Sequence, residues 1–380
     1  MKSRVLSFGS LASPLARTQT QAVIDTIQDL MPRLTCQFNI WESPVSDKND
    51  EPFMAASRAE VEFLEQELVS ERARLIVLEA ADMVLPLPEE LAILCVPDRA
   101  PPFDAYLNRQ GMIMDDMEPG SRIGVLSMRS RSQMRAMWPD LTFRILRGGV
   151  DRAMEIHMRL NEIDGLVLPA GVTEHLGIQG IVAEIFAPEF ILPSPGQGLL
   201  VVVGRANDQE ARDLLSQMHS EASAVELQAE QAFCSRMVSD QDLPVGALAR
   251  VLGGEVVIEG ATGSGTNRIM VNGEIHQAEA VGSGLAQQIL SCGESFADLL
   301  EADFPDGLPE DRDDEAAPAA IVAETDLDYE DDDPDPLLDE DLDDLEHLKA
   351  LEDLAGIDDL DKASGTDEDE DEDDLYPRDN

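Results

Sequence analysis

Reactive side chains are sparse in this chain and widely spaced. The four cysteines, Cys36, Cys95, Cys234 and Cys292, stand far apart with no CxxC pair. Neither a zinc knuckle nor a disulfide framework is expected, and the thiols read as the reduced ones of a cytosolic protein. Asp82 follows an apolar run, 75–78. A carboxylate just beyond a buried strand is positioned either to face a cleft, where a fixed charge acts on a reacting group, or to cap a turn or helix. The glycines of GATGSGT (260–266) could suggest a phosphate cradle. They lie between two alternating segments and open no helix, so the reading is a hairpin turn.

The elements that must position these groups alternate. Residues 5–8 form a short apolar strand, and 14–31 carry apolar residues at helical spacing. Strand 36–41, helix 59–68 and strand 75–78 follow, then a loop. After the proline punctuation at 97–102 a second unit begins: strand 122–126, helix 133–138, strand 142–145, helix 150–159 and buried strand 165–168. Such alternation implies parallel sheets covered on both faces, hence two α/β lobes. LPSPGQGLLVVVGR (192–205) is a Pro/Gly-rich crossing followed by a strand so apolar that it must be buried on both faces. Beyond it come amphipathic helices 209–218 and 221–238, then short antiparallel strands at 245–251, 255–259, 268–271 and 278–280.

The formal net charge is -51 over 380 residues, with about 36 acidic and 4 basic residues in 301–380 alone. A field of that sign repels nucleic acid and anionic membranes, so neither is an expected partner. Residues 301–380 are too poor in apolar groups to offset their ordering entropy and are expected to be disordered. Within them, 336–356 places leucines at helical intervals and could fold against a protein partner. No run approaches 18 apolar residues, so no membrane span is expected. The basic, serine-containing start is interrupted by Gly9, Ser10 and Pro14, which spoils a signal-peptide core.

Five stretches occur together and in order: SPLA (13–16); GVLSMRS (124–130) with WPDL (138–141); LRGGV (146–150); LPSPGQG (192–198); and EQAF (230–233) with LPVGA (243–247). They resemble, in turn, the RxSPLA, GTSSLRR…RPDL, LRGNV, LPAPGQG and ERAF…PIGA segments of the hydroxymethylbilane synthase (porphobilinogen deaminase) family, over roughly the first 300 residues. The resemblance begins at Val5, so no targeting segment is expected. It implies two periplasmic-binding-protein-like α/β lobes (1–98 with 199–215, and 103–193) and a small α+β third domain (219–298), ahead of the disordered acidic tail (301–380). It also implies a dipyrromethane cofactor on a cysteine thioether, to which four porphobilinogens are added with release of ammonia. Asp82, in EAAD, aligns with the catalytic aspartate of the HSxKD motif. The implied substrate contacts are Ser127, Arg129, Arg147, Arg152 and His175.

The same alignment exposes departures. The cofactor cysteine of GGCQVP is replaced by Gln241 in SDQDLP, and an amide forms no thioether. Cys234, seven residues earlier, is either a core residue or a relocated attachment point. Leu11, Ala81, Ser130, Ala153 and His175 stand where the family has Arg or Lys, and SRAE (57–60) lacks the lysine and aromatic of KGLF. Removing one partner from a desolvated ion pair costs about 3–5 kcal/mol, so several losses oppose tight binding of a polycarboxylate. The leading expectation is therefore a cytoplasmic member of this fold, of tetrapyrrole biosynthesis type, that has lost cofactor and activity. The alternatives are an active divergent deaminase carrying dipyrromethane, and a receptor that binds porphobilinogen or another small carboxylate between the lobes.

Overall fold

A computed structural model describes residues 5–44, 53–160, 162–237 and 244–291. All belong to one of the chain's two units, Met1–Arg312. Gln241, Cys292 and the acidic tail lie outside the described residues.

The first lobe is a five-stranded sheet in the order β2-β1-β3-β10-β4. Its strands are β1 (Val5–Leu11), β2 (Thr35–Trp41), β3 (Leu75–Glu79), β4 (Leu91–Cys95) and β10 (Leu200–Arg205). The second lobe repeats the pattern as β7-β6-β8-β5-β9. It contains β5 (Asp104–Leu107), β6 (Arg122–Val125), β7 (Thr142–Ile145), β8 (Gly165–Pro169) and β9 (Val182–Phe186). In each sheet one strand runs antiparallel to both neighbours: β10 between β3 and β4, and β5 between β8 and β9. These are the strands that follow the two crossings, so each lobe is completed by chain arriving from the other. The expected burial of the strand after PGQG is met, with Val201, Val202 and Val203 fully covered. This is the expected two-lobed α/β architecture with a third small domain.

Helices flank the lobe sheets: α1 (Pro14–Leu30), α2 (Arg58–Val69), α3 (Met128–Met137), α4 (Gly149–Glu155), α5 (Ala170–His175) and α6 (Gln209–Leu215). Their starts are chemically marked. Ser13 caps α1 with Pro14 in its first turn, and Ser57 and Glu60 form a reciprocal capping box on α2. One apolar cluster runs through both lobes, from Leu11, Leu15 and Val61 to Val150, Ala153 and Leu166.

The third domain pairs β11 (Val245–Leu252), β12 (Glu255–Thr262) and β13 (Ile269–Glu274) as an antiparallel meander beneath α7 (Glu221–Met237) and α8 (Ala278–Ser291). The glycine-rich segment 263–268 is the β12–β13 connection, as expected. The strand expected at 278–280 is instead the first turn of α8. Its glycines weaken the helical signal, yet a Cβ at Gly282 would lie 2.0 Å from the Ala229 carbonyl oxygen of α7, so close helix approach requires that residue. The loop expected after residue 78 contains β4, and neither β5 nor β9 was anticipated.

The second lobe encloses an unusual histidine. His157 is fully buried, and neither ring nitrogen has a hydrogen-bond partner. Burial, assisted by Arg109, holds its pKa down at about 4 against the ordinary 6.5. The folded protein therefore keeps it neutral while the unfolded chain protonates it. His157 thus subtracts about 3 kcal/mol of stability as pH drops from about 6.5 to 4, a contribution read as the difference from a variant because other buried groups titrate in the same range. His157→Met, of similar volume, should add about 1–3 kcal/mol near neutral pH by removing two orphan nitrogens, and in urea titrations its advantage over the wild type should widen by about 3 kcal/mol between about pH 6.5 and 4. A constant difference between variant and wild type across that range would show that His157 does not titrate there.

Candidate functional site

The end of β3 places two carboxyl groups, Glu79 and Asp82, in one region, with Glu60 of α2 nearby. Glu79 is the last residue of a fully buried strand and accepts a 2.6 Å hydrogen bond from Gln19 Nε2 of α1. Burial, reinforced by the nearby Asp82 charge, pushes its pKa up to about 8. Asp82 sits in the short turn Ala80–Asp82 that follows. Its carboxylate accepts backbone N–H groups from Met54 (2.9 Å), Ala55 (2.7 Å) and Ala56 (3.1 Å). Burial pushes its pKa up to about 6, the three amides opposing that shift and Glu60 adding to it. Residues 53–56 lead into α2, so Asp82 fastens the approach to that helix.

Of the other residues implied by the resemblance, Ser127 caps α3 by accepting from the Ser130 amide at 3.1 Å. Arg129, in the first turn of α3, is 3% exposed. Its guanidinium donates to both Asp104 oxygens (2.6 and 3.2 Å), to Ser194 Oγ (3.0 Å), Leu192 O (2.9 Å) and Ser130 Oγ (2.8 Å). It is a bidentate clamp between the second lobe and the returning crossing. Arg147 is exposed after β7. Arg152 on α4 pairs with Glu155, both partly exposed. His175 ends α5, its Nδ1 2.7 Å from Gly171 O. Cys234 lies half-buried on α7, where burial and the Glu230 charge push its thiol pKa up. Such a thiol is a poor source of thiolate. Among the described residues no group of three or more His, Cys, Asp or Glu is arranged to hold a metal.

Sequence reasoning missed the joint that holds these parts together. Arg99, in the outgoing crossing, donates to both Glu230 oxygens (2.7 and 3.1 Å), to Glu226 (3.3 Å) and to Gln197 O (2.9 Å). Glu230 also accepts from the Gly196 amide (2.6 Å) and the Ala249 amide (2.7 Å). The first residue of EQAF thus ties the third domain to both crossings. Gln197 accepts from Arg129 through its side chain (3.4 Å) and donates to Asp104 at 2.9 Å. PGQG is therefore a hub rather than a plain turn. Gly198, at φ +77°, leaves no room for a Cβ, which would meet the Ala100 carbonyl oxygen at 2.6 Å.

Comparison with known proteins agrees with this architecture. The family described as porphobilinogen deaminase, dipyromethane cofactor binding domain, matches residues 6–213. The porphobilinogen deaminase of Roseiflexus sp. (strain RS-1) is 32% identical over 301 residues, covering 76% of this chain and 97% of that protein. Those of Roseiflexus castenholzii and Thermus thermophilus are each 31% identical, over 76% of this chain and 96% and 97% of their own lengths.

Proposed function

This chain belongs to the porphobilinogen deaminase family of tetrapyrrole biosynthesis, and we propose that it is a cytosolic member that has lost the covalent cofactor and the polymerising activity while keeping the interlobe cleft for a small carboxylate ligand. The observation that carries this reading is Gln241 at the position of the attachment cysteine. A thioether needs a thiolate nucleophile, and an amide supplies none.

The side chains that would surround a dipyrromethane fit it poorly. The Asp82 carboxylate is already held by three amides of its own chain. Arg129 neutralises Asp104 instead of facing outward. The half-buried Cys234 thiol is biased toward its protonated form by burial and by the Glu230 charge. Each feature opposes one requirement of the family chemistry: a free carboxylate beside the pyrrole nitrogens, cations for the two carboxylates of each ring, and a nucleophilic sulfur.

The test is the intact mass of the purified chain before and after incubation with porphobilinogen, with Ehrlich colour and ammonia release read in parallel. The expected result is an unchanged mass, no colour and no ammonia. A mass increase by linked pyrrole units, mapped to Cys234 or any other residue, would overturn the proposal and make the protein an active, divergent deaminase.

A further inference from the structure

The third domain carries a groove between α7 and α8 that the proposed function does not use. It encloses about 550 Å3, the size of a small-ligand site, and is lined by Gln228 and Arg236 of α7 and by Glu279, Ser283, Gly284 and Gln287 of α8. The two glycines of α8 are present for different reasons. A Cβ at Gly282 would run into the Ala229 carbonyl oxygen, whereas a Cβ at Gly284 would meet nothing within 4 Å. Glycine weakens a helix interior, so packing does not account for Gly284; its missing side chain deepens the groove floor.

The two helices run in the same direction. Glu226 and Glu230 of α7 accept from the Val251 and Ala249 amides of β11, so that helix and strand run oppositely. On α8, Val281 lies against Gly273 and Leu285 against Gly260, whose partner in β13 is Ile269, so α8 opposes β13 likewise. Strands β11 and β13 both run antiparallel to β12 and are therefore parallel to each other. With Gly282 beside Ala229 and Phe233, Gln228 falls at the Glu279 end of the groove and Arg236 at the Gln287 end. The two opposite charges are thus about eight helical residues apart, or about 12 Å. Among the described residues neither the Arg236 nor the Glu279 side chain makes a hydrogen bond or an ion pair. Each complements the dipole at its own helix end, which leaves its hydrogen-bonding capacity unspent. His276, also in the groove, is engaged by Glu274 at 3.1 Å.

We propose that this groove binds a short linear peptide with free termini, its ammonium at Glu279 and its carboxylate at Arg236. An extended chain covers at most about 3.3–3.6 Å per residue, so three or four residues span the two charges. The amides of Gln228 and Gln287 and the Ser283 hydroxyl offer donors and acceptors to the peptide backbone between them. The inference concerns the third domain and does not depend on the proposed loss of activity, since no readout below uses porphobilinogen.

Saturation-transfer NMR on the full chain tests it, with triglycine and tetraglycine as probes and glycine, N-acetyltriglycine and triglycine amide as controls. Both charges sit at the surface, where one ion pair changes affinity by up to about fivefold, so binding should be weak and selectivity should need both ends. The longer of the two peptides, or both, should receive saturation, and each control should bind at least about twofold more weakly than triglycine. Arg236→Gln should weaken triglycine but not triglycine amide, and Glu279→Gln should weaken triglycine but not N-acetyltriglycine. Gly284→Trp fills the floor without steric conflict, so it should unfold no earlier in urea than the wild type and should abolish the transfer. If that variant does unfold earlier, the two charge variants, which alter exposed side chains only, decide the matter. Transfer that is absent in the wild type, equal for glycine and the peptides, or insensitive to the substitutions overturns the proposal.

Discussion

Glu230→Gln is expected to destabilise the protein by about 3–5 kcal/mol, the range for removing one member of a buried ion pair. The side chains of Arg99 and Glu230 are 5% and 0% exposed, so neither charge recovers hydration once its partner is gone. Glutamine keeps the shape but presents an NH2 group to a site lined by donors: the Arg99 guanidinium and the Gly196 and Ala249 amides. Urea unfolding of the full chain measures the loss. Burial alone would lower the Arg99 pKa, but the Glu230 and Glu226 carboxylates outweigh it and hold it above the ordinary value, so the guanidinium cannot escape by deprotonating. Replacing both partners, as Arg99→Met with Glu230→Leu, should recover only part of the loss. The Gly196 and Ala249 amides would remain unsatisfied, at about 1–3 kcal/mol each. Glu62→Ala serves as a control, because the Arg58–Glu62 pair is about half exposed and should change stability by no more than about 0.5 kcal/mol. A Glu230→Gln loss as small as the control's would mean that the third domain is held to the crossings by its apolar contacts.

Much of this architecture was legible because the long-range signals were strong. The apolar run after PGQG demanded burial on both faces, and β10 lies between two strands. The serines at 13, 57 and 127, which cap the first turns of α1, α2 and α3, are start signals that the sequence reading did not use. The missed strands are short, and their patterns are set by tertiary neighbours. Leu91–Cys95 and Asp104–Leu107 are four or five residues long and flank a proline-rich crossing that reads as loop. Arg99 lies inside that crossing, and its importance depends on Glu230, 131 residues away; no local pattern carries such a pairing. Glu79 did leave a signal. A glutamate inside LIVLE conflicts with an otherwise apolar strand, and such local conflicts mark strained or functional positions.

Asp82 shows how one residue can satisfy two sequence readings in different ways. A carboxylate after a buried strand was expected to face a cleft or to cap a turn. Here it binds the backbone of residues 54–56, a capping role performed at the lobe junction. Ionisation suits that role, because each of the three amides donates to an oxygen that must stay an acceptor. Its neighbour Glu79 faces the opposite demand. It has one hydrogen-bond donor, from Gln19, and a strand that excludes water. The two carboxyl groups are thus pushed apart, to about 6 for Asp82 and about 8 for Glu79. Near neutral pH the pair carries mainly one negative charge, on the member that holds the chain.

That separation makes Glu79 a source of stability loss as pH rises through neutrality. Its folded pKa, about 8, lies above the ordinary 4.5, so the folded state holds the proton more tightly than the unfolded one. Below about pH 4.5 both states are protonated and the contribution is complete. Between about 4.5 and 8 the unfolded chain ionises while the folded chain does not, and each unit of pH removes about 1.4 kcal/mol, or about 4–5 kcal/mol across the window. Glu79→Gln should abolish this slope, since glutamine keeps the acceptor for Gln19 Nε2 and has no proton to lose. The variant should match the wild type near pH 5 and exceed it by several kcal/mol near pH 9, measured by urea unfolding across the range. Asp82 acts in the same direction over a lower window, from about 3.8 to 6, and its slope should remain in the variant. Parallel wild-type and variant curves from pH 5 to 9 would mean that Glu79 reaches water or an unrecognised cation when it ionises. A variant weaker than the wild type at pH 5 would instead show that the protonated Glu79 donates a hydrogen bond that glutamine cannot replace.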